Sequence, residues 1–400
     1  MPTIINGTTG TSIDGNSTAV GNLSVGGNLA VTGSVTGNLS VTGSLNSVNT
    51  FGFKNRIING AMVIDQRNAG AAVSFPSFSI RYTVDRFYVE NTTDGTMTVQ
   101  QSSVAPNGFV NSLLFTTGTA DPSLTTNQYA FMQQVIEGFN MADFNWGTAN
   151  AQTVTLSFWV RSSLTGTFGG ALRNNGGTRS YPFSYVINAA DTWEQKSITI
   201  PGDTSGTWLT TNGAGIRLSF GLGVTIGNSG TAGAWASISY LSSTGATSVI
   251  GTAGATWQIT GLQLEEGTQA TSFDYRPYGT ELALCQRYYY RVTQTGSNPS
   301  AFGVGAAFSA TNSGFLINFP VTMRAIPSAL EQQGTASNYF VLNAGGSSLT
   351  CNAVPTYNVV TTASIAWVNF TVSSGLVSGN ACTCLANANS GAYLGWSAEL

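Results

Sequence analysis

The stretch Val154-Thr155-Leu156-Ser157-Phe158-Trp159-Val160-Arg161 alternates with a period of two. Successive side chains of an extended chain point to opposite faces, so Val154, Leu156, Phe158 and Val160 share one face. Thr155, Ser157, Trp159 and Arg161 share the other. Working outward, 168–173 and 179–185 read as two strands around Asn174-Asn175-Gly176-Gly177-Thr178, a five-residue hairpin turn. Ile198 and Ile200 lead into the turn Pro201-Gly202-Asp203, and 217–222, 234–241 and 257–264 read as further strands. Helical periodicity over 54–280 is confined to short pieces such as 132–139. Turn signals at this spacing predict an antiparallel sandwich or jelly roll.

A second unit starts after the turn Arg276-Pro277-Tyr278-Gly279 with a short helix or hinge over 281–287. Strands are expected at 288–293, 302–308, 315–323, 339–342, 357–360, 365–372 and 392–398, which make a smaller β-sandwich over 281–400. On the N-terminal side the pattern changes. Residues 15–53 carry no charge, and Gly-Asn-Leu-Ser-Val at 21–25 returns as Gly-Asn-Leu-Ala-Val at 27–31 and Gly-Asn-Leu-Ser-Val at 37–41. Leu23, Val25, Leu29, Val31, Val35, Leu39, Val41 and Leu45 all fall on odd positions, on one face of an extended chain that would run about 75 Å. A lone strand cannot bury such a face or pair its own backbone. Intertwined identical chains can, with Leu and Val on the common axis, and three chains is the natural number. The expected architecture is therefore all-β: an intertwined trimeric shaft over 1–53, a central jelly-roll sandwich over 54–280 and a terminal β-sandwich knob over 281–400. A flexible Gly/Ser/Thr linker is the alternative for the shaft, but a linker has no need of strict parity.

Composition removes most chemistries. The 400 residues contain no histidine, which excludes Ser-His and Cys-His nucleophile pairs and every histidine-bearing metal site. Neither a phosphate-binding G-x-x-x-x-G-K-[ST] loop nor a complete G-x-G-x-x-G occurs. Net charge is −3 with two lysines, Lys54 and Lys196, so nucleic acid is not an expected partner. Mean hydropathy is +0.09, yet no apolar run approaches the roughly 18 residues of a membrane helix. The start Met1-Pro2-Thr3-Ile4-Ile5-Asn6-Gly7 lacks the basic and apolar regions of a secretory signal. Cys285, Cys351, Cys382 and Cys384 lack C-x-x-C spacing and are expected as buried free thiols. No cofactor and no metal are expected. A structural calcium near Asp274 has no D-x-D spacing to support it.

Several stretches are recognisable together. They are Asn55-Arg56-Ile57-Ile58-Asn59-Gly60-Ala61-Met62, Tyr82-Thr83-Val84-Asp85-Arg86-Phe87, Ser157-Phe158-Trp159-Val160-Arg161 and Thr192-Trp193-Glu194-Gln195-Lys196. Thr256-Trp257-Gln258-Ile259-Thr260-Gly261-Leu262-Gln263-Leu264-Glu265, Phe273-Asp274-Tyr275-Arg276-Pro277 and Cys285-Gln286-Arg287-Tyr288-Tyr289-Tyr290 continue the set. Phe319-Pro320-Val321-Thr322-Met323-Arg324 and Ser397-Ala398-Glu399-Leu400 belong to it as well. As a set, 54–400 resembles bacteriophage tail-fibre receptor-binding proteins with a carbohydrate-binding-module-like jelly roll. The resemblance implies a homotrimeric virion tail fibre, assembled in the infected host cytoplasm. It further implies attachment to a tail or baseplate adaptor protein by the N-terminus and binding to host surface polysaccharide or lipopolysaccharide.

Sugar recognition uses aromatic platforms with Arg, Asn and Asp beside them. Trp159 and Arg161 share a strand face and form one candidate pair. In the five-residue hairpin, Arg173 pairs with Arg179 and Ala171 with Tyr181, which puts Arg173, Arg179 and Tyr181 on one face as a second candidate for an acidic or hydroxyl-rich glycan. Trp193, Trp235 and Trp257 are assigned to packing, as are the aromatics of 287–291. The loops 309–314, 334–338 and 343–350 are rich in Ser, Asn, Gly and Thr and suit recognition. A polysaccharide-cleaving tailspike would need paired carboxylates. Glu265 and Glu266 face opposite ways, and Asp191 with Glu194 or Asp85 with Glu90 would have to meet through loops. The expected activity is therefore non-catalytic attachment, with a purely structural fibre or connector as the alternative.

Overall fold

Two antiparallel six-stranded sheets form the central sandwich. In spatial order the first contains Val73–Phe75, Met97–Ser102, Ser112–Thr117, Thr256–Glu266, Val154–Ser162 and Glu194–Ile200. The second contains Ser79–Tyr82, Phe87–Asn91, Tyr129–Glu137, Ala214–Val224, Gly166–Arg173 and Ser180–Ile187. Most connections cross from one sheet to the other, so most neighbours in sequence are not neighbours in a sheet. The computed structural model describes residues 53–294, 298–388 and 391–400. The shaft residues, Leu23 to Leu45, lie outside the described residues. All described residues fall within one compact unit.

Alternation fills the space between the sheets. Val154, Leu156, Phe158 and Val160 meet Phe168, Leu172, Phe183, Leu218 and Phe220 there, all fully or nearly fully buried. Burying a side chain of this size contributes about 1.5–3 kcal/mol. Trp257 is completely buried in the same core and donates its indole N–H to the Tyr185 hydroxyl at 3.2 Å. Trp235 is half-buried beside Trp146, Trp208 and Tyr181, and Trp193 is also half-buried.

Two expected elements differ. Residues 132–137 belong to the strand Tyr129–Glu137, followed by a single 3-10 turn, Gly138–Asn140, and not to a helix. Both faces of that strand are covered, so its apolar run lacks the alternation that marks a half-exposed strand. Residues 234–241 form no strand. They belong to an irregular strap held by the Ser180–Ala236 bridge and by the Trp235 indole donating to the Pro201 carbonyl.

The terminal part has its own core around Phe315, Tyr339, Val368, Phe370 and Cys384. A seven-stranded sheet runs Ser348–Thr350, Tyr339–Asn343, Ala381–Ala386, Ser300–Ala307, Asn312–Asn318, Ile365–Thr371 and Thr356–Tyr357. A three-stranded sheet of Tyr289–Thr293, Tyr393–Ser397 and Leu330–Gln332 completes it. The strand Ala381–Ala386, which carries Cys382 and Cys384, has no counterpart among the expected strands. All four cysteines are free and buried. The helix Tyr278–Gln286 links the two cores.

The charges of the terminal part gather where it meets the central sandwich. Arg287 makes a two-pronged contact with Glu137 at 2.9 and 2.6 Å, and the Tyr288 hydroxyl donates to the same carboxylate at 2.5 Å. Glu399 receives Arg86 and Arg67, Glu281 receives Arg276, and Arg291 donates to the Arg67 carbonyl. Arg324 donates to the Asn212 carbonyl at 3.0 Å. Glu331 accepts from Tyr289, whose ring lies 3.5 Å from the Arg67 guanidinium carbon. No Asp, Glu, Lys or Arg occurs in 292–323 or 332–398, so the far sheet is uncharged.

Candidate functional site

The outward face of the second central sheet is built from small residues at one end and large polar ones at the other. Gly169, Ala171, Ser219 and Gly221 allow the strap Asn228–Ser243 to lie on the sheet: a Cβ at Gly169 would stand 2.2 Å from the Ser243 hydroxyl. The strap is pinned by the Ser219 hydroxyl donating to the Leu241 carbonyl at 3.1 Å. Beyond it the face opens into a cleft of about 440 Å³. Phe131, Arg173 and Arg217 form the floor, Tyr88, Glu90 and Tyr129 one wall, and the turn Asn174–Gly177 another.

Strand register dictates this grouping. Arg217 pairs directly with Arg173, Tyr88 with Gln133 and Glu90 with Phe131. Gln133 joins the two halves, accepting from Arg173 and donating to the Tyr88 hydroxyl. Arg173 also donates to Ser239 at 3.1 Å, while its Nε is buried without a partner. Burial, reinforced by the nearby Arg217 charge, lowers the Arg173 guanidinium to about 10. Arg217 donates to Asn175 at 2.9 Å. Tyr129 donates to Glu90 at 3.0 Å, and burial together with that carboxylate pushes its phenol up to about 12. Two guanidiniums thus face one carboxylate that already has a partner. Like charges directly opposite on neighbouring strands repel, and an anionic or hydroxyl-rich ligand would relieve them.

The five predicted site residues are not brought together. Arg173 lies in the cleft. Tyr181 does not, because the hairpin pairs Arg173 with Ser180 and Leu172 with Tyr181. The turn is therefore six residues, 174–179. That one-residue shift sends Tyr181 to the core face, where it is 5% exposed. Its cause is Asn174, whose side-chain oxygen accepts the N–H groups of both Thr178 and Arg179 at 3.0 and 3.1 Å. Arg179 turns away to a two-pronged contact with Asp203 at 2.8 and 2.7 Å. Trp159 and Arg161 share a face of the first sheet, away from this cleft. Trp159 is half-buried beside Gly261, where a Cβ would stand 2.6 Å from Phe109 and 3.1 Å from Trp159. Arg161 is engaged by Asp191 and Gln258.

Among the cleft residues, Tyr88, Glu90, Tyr129 and Arg217 were not assigned to a glycan site by the sequence reading. Their parity was available: Tyr88 and Glu90 alternate with Phe87 and Val89, and Arg217 precedes Leu218 and Phe220 out of phase. The adjacency of their strands was not, since it depends on cross-sheet connections.

Of the carboxylates considered for cleavage, Glu265, Asp191, Glu194, Asp85 and Glu90 are engaged separately. Asp85 is buried against Gln66, and Glu90 is bound by Tyr129. Glu194 is held down to about 2: Lys196 and the 188–189 backbone outweigh the effect of burial. Asp274 accepts the Asn55 N–H at 3.2 Å. No helix among the described residues is long and apolar enough to cross a membrane.

No family model and no curated protein matches this chain. Among solved structures it is similar to the enzymatically active domain of tailspike protein 4 of bacteriophage CBA120, with 14% identity and a TM-score of 0.28. That match covers 54% of this chain and 22% of the tailspike chain. It is also similar to a family 61 carbohydrate-binding module in complex with β-1,4-galactotriose, with 13% identity and a TM-score of 0.28 over 54% of this chain and 100% of the module. A family 11 module of a Clostridium thermocellum cellulosomal cellulase gives 10% identity and a TM-score of 0.26 over 51% and 99%. The tailspike's activity and the bound galactotriose are properties of those proteins.

Proposed function

We propose that this chain is a bacteriophage tail fibre that attaches the virion to a host bacterium by non-catalytic recognition of a surface glycan, polysaccharide or lipopolysaccharide. The observation that carries the reading is the open cleft in which Arg173 and Arg217 stand opposite each other, beside Tyr88 and Tyr129 and with Glu90 as the lone lining carboxylate. Guanidiniums flanked by aromatic rings suit an acidic or hydroxyl-rich saccharide. Cleavage by the usual route needs two carboxylates, and the cleft is lined by one. The tail-fibre assignment draws on the sequence resemblance over 54–400. The shaft parity over 23–45 supports a homotrimer, with three copies strengthening individually weak sites, and the resemblance implies that its N-terminus joins a tail or baseplate adaptor.

The test is binding of fluorescent full-length protein to bacterial cells, with purified surface polysaccharide as competitor. Saturable, competed binding that weakens about tenfold or more in Arg173→Ala and Arg217→Ala is expected. A folded protein that binds no cells would favour a purely structural fibre, and release of reducing ends would reveal a depolymerase. Light scattering of the full chain is expected to give a trimer, and Leu29→Asp with Leu39→Asp to abolish it. A monomeric wild type would remove the shaft from the reading.

A further inference from the structure

The uncharged far sheet carries a second feature built for a ligand. On its outward face, Trp367 and Asn369 project from Ile365–Thr371 beside Asn312 and Gly314 of the paired strand Asn312–Asn318. Gly314 makes the site: a Cβ there would lie 2.6 Å from the Trp367 indole nitrogen, 2.8 Å from Phe308 and 3.0 Å from the Asn369 side-chain oxygen. The indole therefore lies down across the sheet. Phe308 stacks near it with ring centroids 5.4 Å apart and planes 26° apart, and remains 47% exposed. The two rings border an open cleft of about 390 Å³ whose other lining residues are Asn and Thr.

The amides are oriented. The Trp367 indole donates to the Asn369 oxygen at 2.8 Å, and the Val360 N–H donates to the Asn358 oxygen at 3.1 Å. Fixing each oxygen turns each Nδ2 group away from its bond. Neither Nδ2 group, nor the Thr356 hydroxyl, has a hydrogen-bond partner among the described residues. Two amide donors and a hydroxyl thus stand unused around an aromatic shelf, and no charged side chain lines the cleft.

We propose that this cleft is a separate binding site for an uncharged pyranose. The sugar would lay its C–H face on the Phe308–Trp367 shelf, and its hydroxyl oxygens would accept from Asn358 and Asn369. A site without a guanidinium or ammonium has nothing to reward a carboxylate or phosphate, so neutral residues are its ligand class. The assignment is independent of the arginine cleft on the central sandwich.

Saturation-transfer NMR on the full-length protein tests it, using the methyl glycosides of glucose, galactose, mannose and rhamnose as probes. At least one probe is expected to receive saturation. Trp367→Ala and the double variant Asn358→Ala/Asn369→Ala should each weaken that binding about tenfold. Transfer lost in Arg173→Ala/Arg217→Ala and kept in the other two variants would place the binding in the arginine cleft and overturn the proposal. The double asparagine variant removes two half-buried amides, with their bonds to the Trp367 indole and the Val360 N–H, but keeps both rings of the shelf, and so guards against loss of folding in Trp367→Ala. Absence of transfer to all four probes, or transfer that survives both variants, would overturn the proposal.

Discussion

Asp85 shows how far one residue can depart from its sequence reading. It was a candidate partner for Glu90 across a loop, yet it is fully buried. Its carboxylate accepts from the Gln66 backbone at 3.0 Å and from the Gln66 side chain. Burial raises its pKa from 3.8 to about 6, against the opposing pull of Arg67. A carboxyl raised on folding stabilises the protein in its protonated form. That contribution is complete below the unfolded value and is lost as the pH rises through about 6. Wild type should therefore gain about 1 kcal/mol relative to Asp85→Asn between pH 7 and pH 5. Chemical denaturation at the two pH values checks this, and a constant difference would place the folded carboxyl near its ordinary value. Residue identity showed that Asp85 can titrate. Its burial depends on contacts with Gln66 and Asn59, which alternation within one strand does not reveal.

At the scale of elements, strands that alternate apolar with polar residues were legible and strands apolar on both faces were not. Both Val154–Ser162 and Tyr129–Glu137 are largely buried, but Thr155 and Ser157 keep the first alternating, whereas the apolar residues on both faces of the second read as a short helix. The hairpin between Gly166–Arg173 and Ser180–Ile187 was legible as a hairpin, but its register was not. Glycines and asparagines signal a turn without specifying which of them bonds to what. Asn174 decides it. It is 1% exposed, and besides its two accepted N–H bonds it donates to Thr178 and to the Thr207 carbonyl. Asn174→Ala should cost about 2–3 kcal/mol, since four hydrogen bonds of this buried amide would be lost together. Urea denaturation measures this. Glycan binding should fall as well, because Asn175 in the same turn receives Arg217. A stability loss below about 0.5 kcal/mol would show that the turn does not depend on Asn174.

For the molecule as a whole, the all-β class and the presence of a second core after residue 280 followed from pattern alone. The joint between the cores did not. So few charges occur that each pairing is specific, but a list of fourteen basic and seventeen acidic residues does not say who meets whom. The side chain of Glu137 is 2% exposed and serves both Arg287 and Tyr288 across the joint. Its removal should cost about 1–3 kcal/mol, because the buried Tyr288 hydroxyl loses its acceptor while Arg287, one-third exposed, turns to water. In Glu137→Ala, limited proteolysis is expected to cut near 278–287 faster than in wild type. Equal rates of cutting would mean that the remaining contacts, Glu399 with Arg86 and Arg67 among them, hold the joint without Glu137.

In diffusional terms, concentrating every charge of 281–400 at the joint leaves the far sheet without an electric field of its own. Fields in physiological salt reach only about 8 Å, and Arg173 and Arg217 act within that range. Encounter through the arginine cleft should slow as ionic strength rises, while encounter through the uncharged sheet should keep one rate in every buffer. A particle bearing both faces would keep a grip on its target in dilute and in saline surroundings alike.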